Sequence, residues 1–74
     1  MVKGLLTQRQ TECLAWVQEG KTAYEVGVIL GISQRTVEAH LRYAYEALGV
    51  TSRIQAVLKA REAGLLRKVG DAAE

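Results

Sequence analysis

The residue pattern points to an all-α domain of four helices on three grounds. Apolar residues return every three or four positions in four separate runs, the period of an amphipathic helix rather than a strand. Each run opens on a Thr or Ser suited to capping, and Gly20, Gly31, Gly49 and Gly64 close them. The composition lacks proline and phenylalanine and is 49% apolar, which suits a small helical bundle.

The first helix starts after Thr7. Thr7-Gln8-Arg9-Gln10 has the form of a capping box, in which a hydroxyl and a glutamine three residues later satisfy free backbone donors. It should run to about Glu19, with Cys13, Leu14 and Val17 on its apolar stripe, Trp16 on the flank and Leu5 and Leu6 packed beneath. Cys13 reads as a small buried apolar residue; one cysteine and one histidine do not make a metal site.

Residues 22–48 are the stretch around which the rest is organised. Thr22-Ala23-Tyr24-Glu25 repeats the capping box and opens a second helix whose interior face is expected to be Val26, Ile29 and Leu30. Gly27 reads as a packing choice where another helix crosses closely, at a cost of ~1 kcal/mol in helix propensity relative to Ala, with a flexible spot as the plainer alternative. Gly31-Ile32-Ser33 makes a three-residue turn in which Gly31 takes the left-handed conformation, Ile32 plugs the core and Ser33 caps the third helix. Val37, Leu41, Ala44 and Leu48 then share one buried stripe, and Gln34, Arg35, Glu38, Ala39 and Arg42 face outward. That is a helix-turn-helix in outline, with an outward helix face free for a partner.

Gly49-Val50-Thr51 closes the third helix, and Ser52-Arg53-Ile54-Gln55 gives a third capping-box pattern before a run to Ala63. Ala56, Val57 and Ala60 are expected to face the core. Ile54, Leu58 and Arg61 fall on a neighbouring strip that a domain this small has little means to cover, which makes it a candidate self-association surface. Gly64 ends the helix and Leu65-Leu66 tuck back.

Seventy-four residues suit one domain, since a chain this short buries only ~60% of the surface it exposes when unfolded. Residues 1–66 are assigned to it and 67–74 to a polar C-terminal tail. Ten basic against eight acidic residues leave a net charge of +2, short of the excess that alone indicates nucleic acid, so the distribution of charge has to decide. No apolar stretch reaches the ~18 residues of a membrane span, no secretory signal is visible and Cys13 has no partner for an internal disulfide. A reducing cytoplasm is the expected location.

From Leu6 to Leu66 the chain resembles the LuxR-type helix-turn-helix family, also named after FixJ and GerE. The resemblance is carried by LTQRQTECL, the GKT-x-x-EV-x-x-ILGIS block, RTVEAHL, the LGV-x-SR-x-QAV run and the closing GLL. It implies a tetrahelical DNA-binding domain whose third helix enters the major groove, whose fourth helix commonly pairs with a second copy, and which regulates transcription initiation. The GKT and ILGIS wording looks closest to the quorum-sensing branch, whose members usually carry an N-terminal acyl-homoserine-lactone domain; no such domain lies within these residues. Tyr43 stands where many relatives have Asn, Ala47 where many have Lys, and Gln10 where Glu is frequent. The missing Lys removes one phosphate contact.

On this footing Arg35, Glu38, Ala39 and Arg42 are the candidate base readers. Either arginine can fork onto guanine, Glu38 can accept from cytosine N4, and Ala39 can touch a thymine methyl. Glu38 has a plainer alternative as a solvated residue pairing with Arg42 four positions on. Lys21 and Thr22 at the start of the second helix, and Ser33, Gln34, Thr36, His40 and Tyr43 on the third, are the candidate phosphate contacts; Thr22 serves equally as a plain cap. Ile54, Leu58 and Arg61 are the candidate dimer interface. No nucleophile or carboxylate constellation accompanies His40, so neither catalysis, a cofactor nor a metal is expected.

The leading expectation is sequence-specific binding of double-stranded DNA as a homodimer on an inverted repeat, with RNA polymerase as a further partner. The runner-up is an interaction module that pairs through the fourth helix with a larger LuxR-type regulator and inhibits it. A promoter-binding role like that of a sigma factor ranks third and an enzyme last.

Overall fold

The computed structural model describes residues 6–66. It contains four helices: α1 (Gln8–Gln18), α2 (Ala23–Leu30), α3 (Gln34–Leu48) and α4 (Arg53–Glu62), with no strand among the described residues. Leu5 and the tail at 67–74 lie outside them.

The caps expected at the first two helix starts are formed. Thr7 Oγ1 accepts from the Gln10 amide at 3.1 Å while Gln10 Oε1 accepts from the Thr7 amide at 3.0 Å. Thr22 and Glu25 exchange the same pair of bonds at 3.1 and 2.8 Å. The third box is only half made. Ser52 Oγ takes the Gln55 amide at 3.2 Å, but Gln55 Oε1 reaches back to the amide of Thr51, also at 3.2 Å, and not to that of Ser52. The backbone differs there too: Ser52 has φ −130°, against −74° and −79° at Thr7 and Thr22.

The helices α1 and α3 each pack against all three other elements, while α2 and α4 flank that pair. The core is Leu6, Cys13, Leu14, Val17, Val26, Val37, Leu41, Ala44, Leu48, Ala56 and Ala60. From α4 it takes only alanines, whose small side chains let that helix approach closely. Trp16, Leu30, Ile32, Val57, Leu65 and Leu66 pack around the rim, half-buried. Burial pushes the Cys13 thiol above its ordinary range, which leaves little thiolate for redox or metal chemistry.

One expectation for α2 is corrected. Ile29 does not face the core: it is 43% exposed, and the buried residues of the helix are Val26 and Gly27. The cause is how closely Gly27 approaches the turn. With Val26 in the core and Gly27 against residues 32–34, the inward side of α2 lies between those two positions; at roughly 100° per residue Leu30 falls on that side and Ile29 falls outside it. Gly27 is thus a packing residue and not a flexible spot. The turn itself is as expected, with Gly31 left-handed at φ 74° and Ile32 donating its amide to the Gly27 carbonyl at 2.9 Å. No helix is long and apolar enough to cross a membrane among the described residues.

Candidate nucleic-acid interface

Helix α3 presents two unlike faces because its apolar residues recur at intervals of four and three. Val37, Leu41, Ala44 and Leu48 are buried, whereas Gln34, Arg35, Thr36, Glu38, Arg42 and Tyr43 are exposed and Ala39 and His40 are half-buried. The fold leaves Arg35, Glu38 and Arg42 uncovered, as a groove-reading helix requires.

The outward side chains are arranged in ways their spacing does not announce. Glu38 does not pair with Arg42; its Oε2 accepts from Gln34 Nε2 at 3.1 Å. Gln34 and Glu38, assigned by sequence to phosphate and base contacts respectively, are therefore partners in the free protein. The Arg42 guanidinium carbon lies 5.5 Å from the centroid of the Tyr43 ring, within cation–π range. Among the described residues the ion pair present is Arg9 with Glu12 on α1, far in sequence from this face.

The phosphate candidates sit at two helix starts. At α3, Ser33 Oγ accepts from the Thr36 amide at 3.0 Å and lies 2.9 Å from Thr36 Oγ1, so both hydroxyls are gathered at the cap. At α2, Thr22 and half-buried Lys21 stand beside the Glu25 carboxylate. Its bond from the Thr22 amide holds the Glu25 pKa below the ordinary carboxylate range, helped by the nearby Lys21 charge. The capping box takes up the amides of Thr22 and Glu25; those of Ala23 and Tyr24 in the first turn lie outside it.

The α4 candidates are not alike. Ile54 and Leu58 are 72% and 52% exposed and border an open groove of about 260 Å³ between α1 and α4, lined also by Val17, Gln18, Arg53, Val57 and Arg61. Arg61 is half-buried, and its Nε donates to Gln18 Oε1, tying α4 to α1 within the chain. Sequence reasoning missed that cross-helix bond, since residues 43 positions apart carry no shared period. It also missed the ring of Tyr43 as a partner of Arg42, because adjacent residues on a helix do not ordinarily face each other. No cluster of three potential metal ligands occurs among the described residues.

This arrangement has close counterparts. The chain is 50% identical over 62 residues to the transcriptional activator protein SolR of Ralstonia solanacearum, covering 84% of this chain and 26% of that protein. It is 49% identical over 55 residues to the transcriptional activator protein LuxR of Aliivibrio fischeri, covering 74% and 22%. A third relative, the HTH-type quorum sensing-dependent transcriptional regulator RpaR of Rhodopseudomonas palustris, is 48% identical over 62 residues, covering 84% and 26%. The chain thus spans about a quarter of the length of these curated relatives. The solved structure of the transcription factor GerE superimposes with a TM-score of 0.82 at 31% identity, covering 86% of this chain and 96% of that one. The sequence pattern described as GerE, bacterial regulatory proteins of the luxR family, matches residues 4–60. With four helices in the order and packing of GerE and a family pattern over most of its length, the chain belongs to the luxR family of bacterial regulatory proteins.

Proposed function

We propose that residues 1–66 bind double-stranded DNA sequence-specifically in the bacterial cytoplasm and regulate transcription initiation within the quorum-sensing branch of the family. The observation that carries this is the exposed polar face of α3, backed by a buried stripe on its reverse. In this reading α3 lies in the major groove, where Arg35, Glu38, Ala39 and Arg42 meet base edges. Lys21, Thr22, Ser33, Gln34, Thr36 and His40 contact phosphates and set the register. Two copies pair through Ile54 and Leu58, with Arg61 fixing the groove beside them, and occupy an inverted repeat. One helix reads too few base pairs for genomic selectivity, which favours a dimer. The exposed α4 strip also suits pairing with a larger regulator of the same family, and that reading predicts neither operator preference nor a steep salt dependence with DNA.

Selection of bound duplexes from a random-sequence pool tests the proposal. Two half-sites in inverted orientation are the expected result. A pool that emerges with no preferred sequence overturns sequence-specific binding, and a single unpaired half-site overturns the dimer.

Two substitutions separate the roles. Arg42→Ala should weaken the selected site by ~1–3 kcal/mol and relax preference at one base pair, as the loss of a forked guanine contact does. Gel-shift titration against the selected and base-swapped sites measures it. Lys21→Ala should weaken all duplexes alike and reduce the slope of log affinity against log salt by about one unit. A slope identical to that of the parent protein excludes Lys21 from phosphate contact.

A further inference from the structure

We propose that Tyr43 is a positioning residue for Arg42: its ring, not its hydroxyl, holds the guanidinium in place for base reading. The proposal rests on the reading of Arg42 as a base contact.

Three observations support it. The guanidinium carbon of Arg42 is 5.5 Å from the centre of the Tyr43 ring, and Tyr43 is itself 53% exposed, so it is not committed to the core. Two acids stand four residues from Arg42: Glu38 has its Oε2 bound to Gln34 Nε2, and Glu46, on the following turn, makes no ion pair with it. No ion pair to Arg42 occurs among the described residues. The ring is thus the side-chain partner the structure gives this cation.

The consequence follows from what each kind of partner consumes. A carboxylate grips arginine through the same N–H fork that would bind guanine O6 and N7, so a pairing with Glu38 would have to break before base reading. Attraction between a cation and a ring uses no hydrogen-bond donor of that fork. Tyr43 therefore restrains a long flexible side chain while leaving its recognition edge available, and the restraint lowers the cost of ordering Arg42 on DNA. Gln34 takes up one oxygen of the Glu38 carboxylate, a bond that competes with its pairing to Arg42.

The test measures affinity for the selected duplex and for the same duplex with the Arg42-dependent base pair swapped, by fluorescence anisotropy with the full chain. The readout is the ratio of the two. Tyr43→Ala and Tyr43→Leu, which remove the π face without or with retained bulk, should each reduce the ratio about two- to five-fold, the scale of an exposed cation–π pair. Tyr43→Phe should retain it. In the Arg42→Ala background the Tyr43→Ala change should reduce the ratio no further, because the two residues act as one unit.

An undiminished ratio in Tyr43→Ala overturns the proposal. So do equal losses in Tyr43→Phe and Tyr43→Ala, which assign the role to the hydroxyl, and full retention by Tyr43→Leu, which assigns it to bulk. If Arg42→Ala leaves the preference at every base pair intact, the base-reading role of Arg42 fails first and the positioning role falls with it. Circular dichroism of each variant checks that helix content is maintained.

Discussion

Leu14→Ala should destabilise the domain by about 2–5 kcal/mol, the range for deleting a fully buried leucine from a core that relaxes only in part. Leu14 has no exposed surface and is among the largest fully buried side chains in the molecule. It sits on α1, which touches all three other helices, so the cavity left behind adjoins the centre of the bundle. The loss is large against the total, because native stability is only ~5–15 kcal/mol and small domains fall near the lower end. In urea the unfolding midpoint should drop while the slope of the transition stays the same. Heating should show a fall in Tm of roughly 10 °C or more. A midpoint equal to that of the parent protein would mean that the core is not organised around α1.

Gly27→Val should cost about 1–3 kcal/mol in overpacking, and DNA selectivity should fall further than the unfolded fraction explains. A Cβ at position 27 would lie 2.6 Å from the Ile32 carbonyl oxygen and 3.3 Å from both the Gln34 nitrogen and the Ser33 carbonyl carbon. These are backbone atoms, so no side chain can swing aside to relieve the contact. The turn is also bonded to this residue through the Ile32 amide at 2.9 Å, so the new atom pushes on the segment its own carbonyl holds. Since α3 begins at Gln34, displacement of the turn passes directly into the helix that carries Arg35, Glu38 and Arg42. Gly27→Ala makes the same first contact but recovers ~1 kcal/mol of helix propensity, so it should lose less stability than the valine variant. Paired measurements of urea stability and of the affinity ratio between selected and swapped duplexes separate the two effects. A valine variant as stable and as selective as the parent would refute the close approach.

Much of the fold was legible because it is written locally. Thr7, Thr22, Ser33 and Ser52 all cap the helices they were expected to begin, since a cap depends on a hydroxyl and the next three residues and on little else. The stripe Val37, Leu41, Ala44 and Leu48 is buried as read, since fifteen helical residues give the period enough turns to fix a face. In the eight-residue α2 the period was too short to do so. There Ile29 and Leu30 looked equivalent, and only the approach of Gly27 to the turn decided which one points inward. The candidate interface was legible as a set of residues on one face, but not as a set of partnerships. Spacing allowed Glu38 to pair with Arg42 as the plainer alternative, yet Gln34 on the preceding turn competes for the same carboxylate, and sequence distance alone does not rank them.

The four helices, their caps, the glycine turn and the family were readable from residue order, because hydrogen-bond capping and apolar periodicity act within a few residues. How closely α2 meets the turn, the tie from Arg61 to Gln18 across two helices and the position of Arg42 over Tyr43 emerged from the packed molecule alone. Those outcomes depend on side-chain reach and on competition among neighbours in three dimensions, which a linear pattern of residue types does not encode.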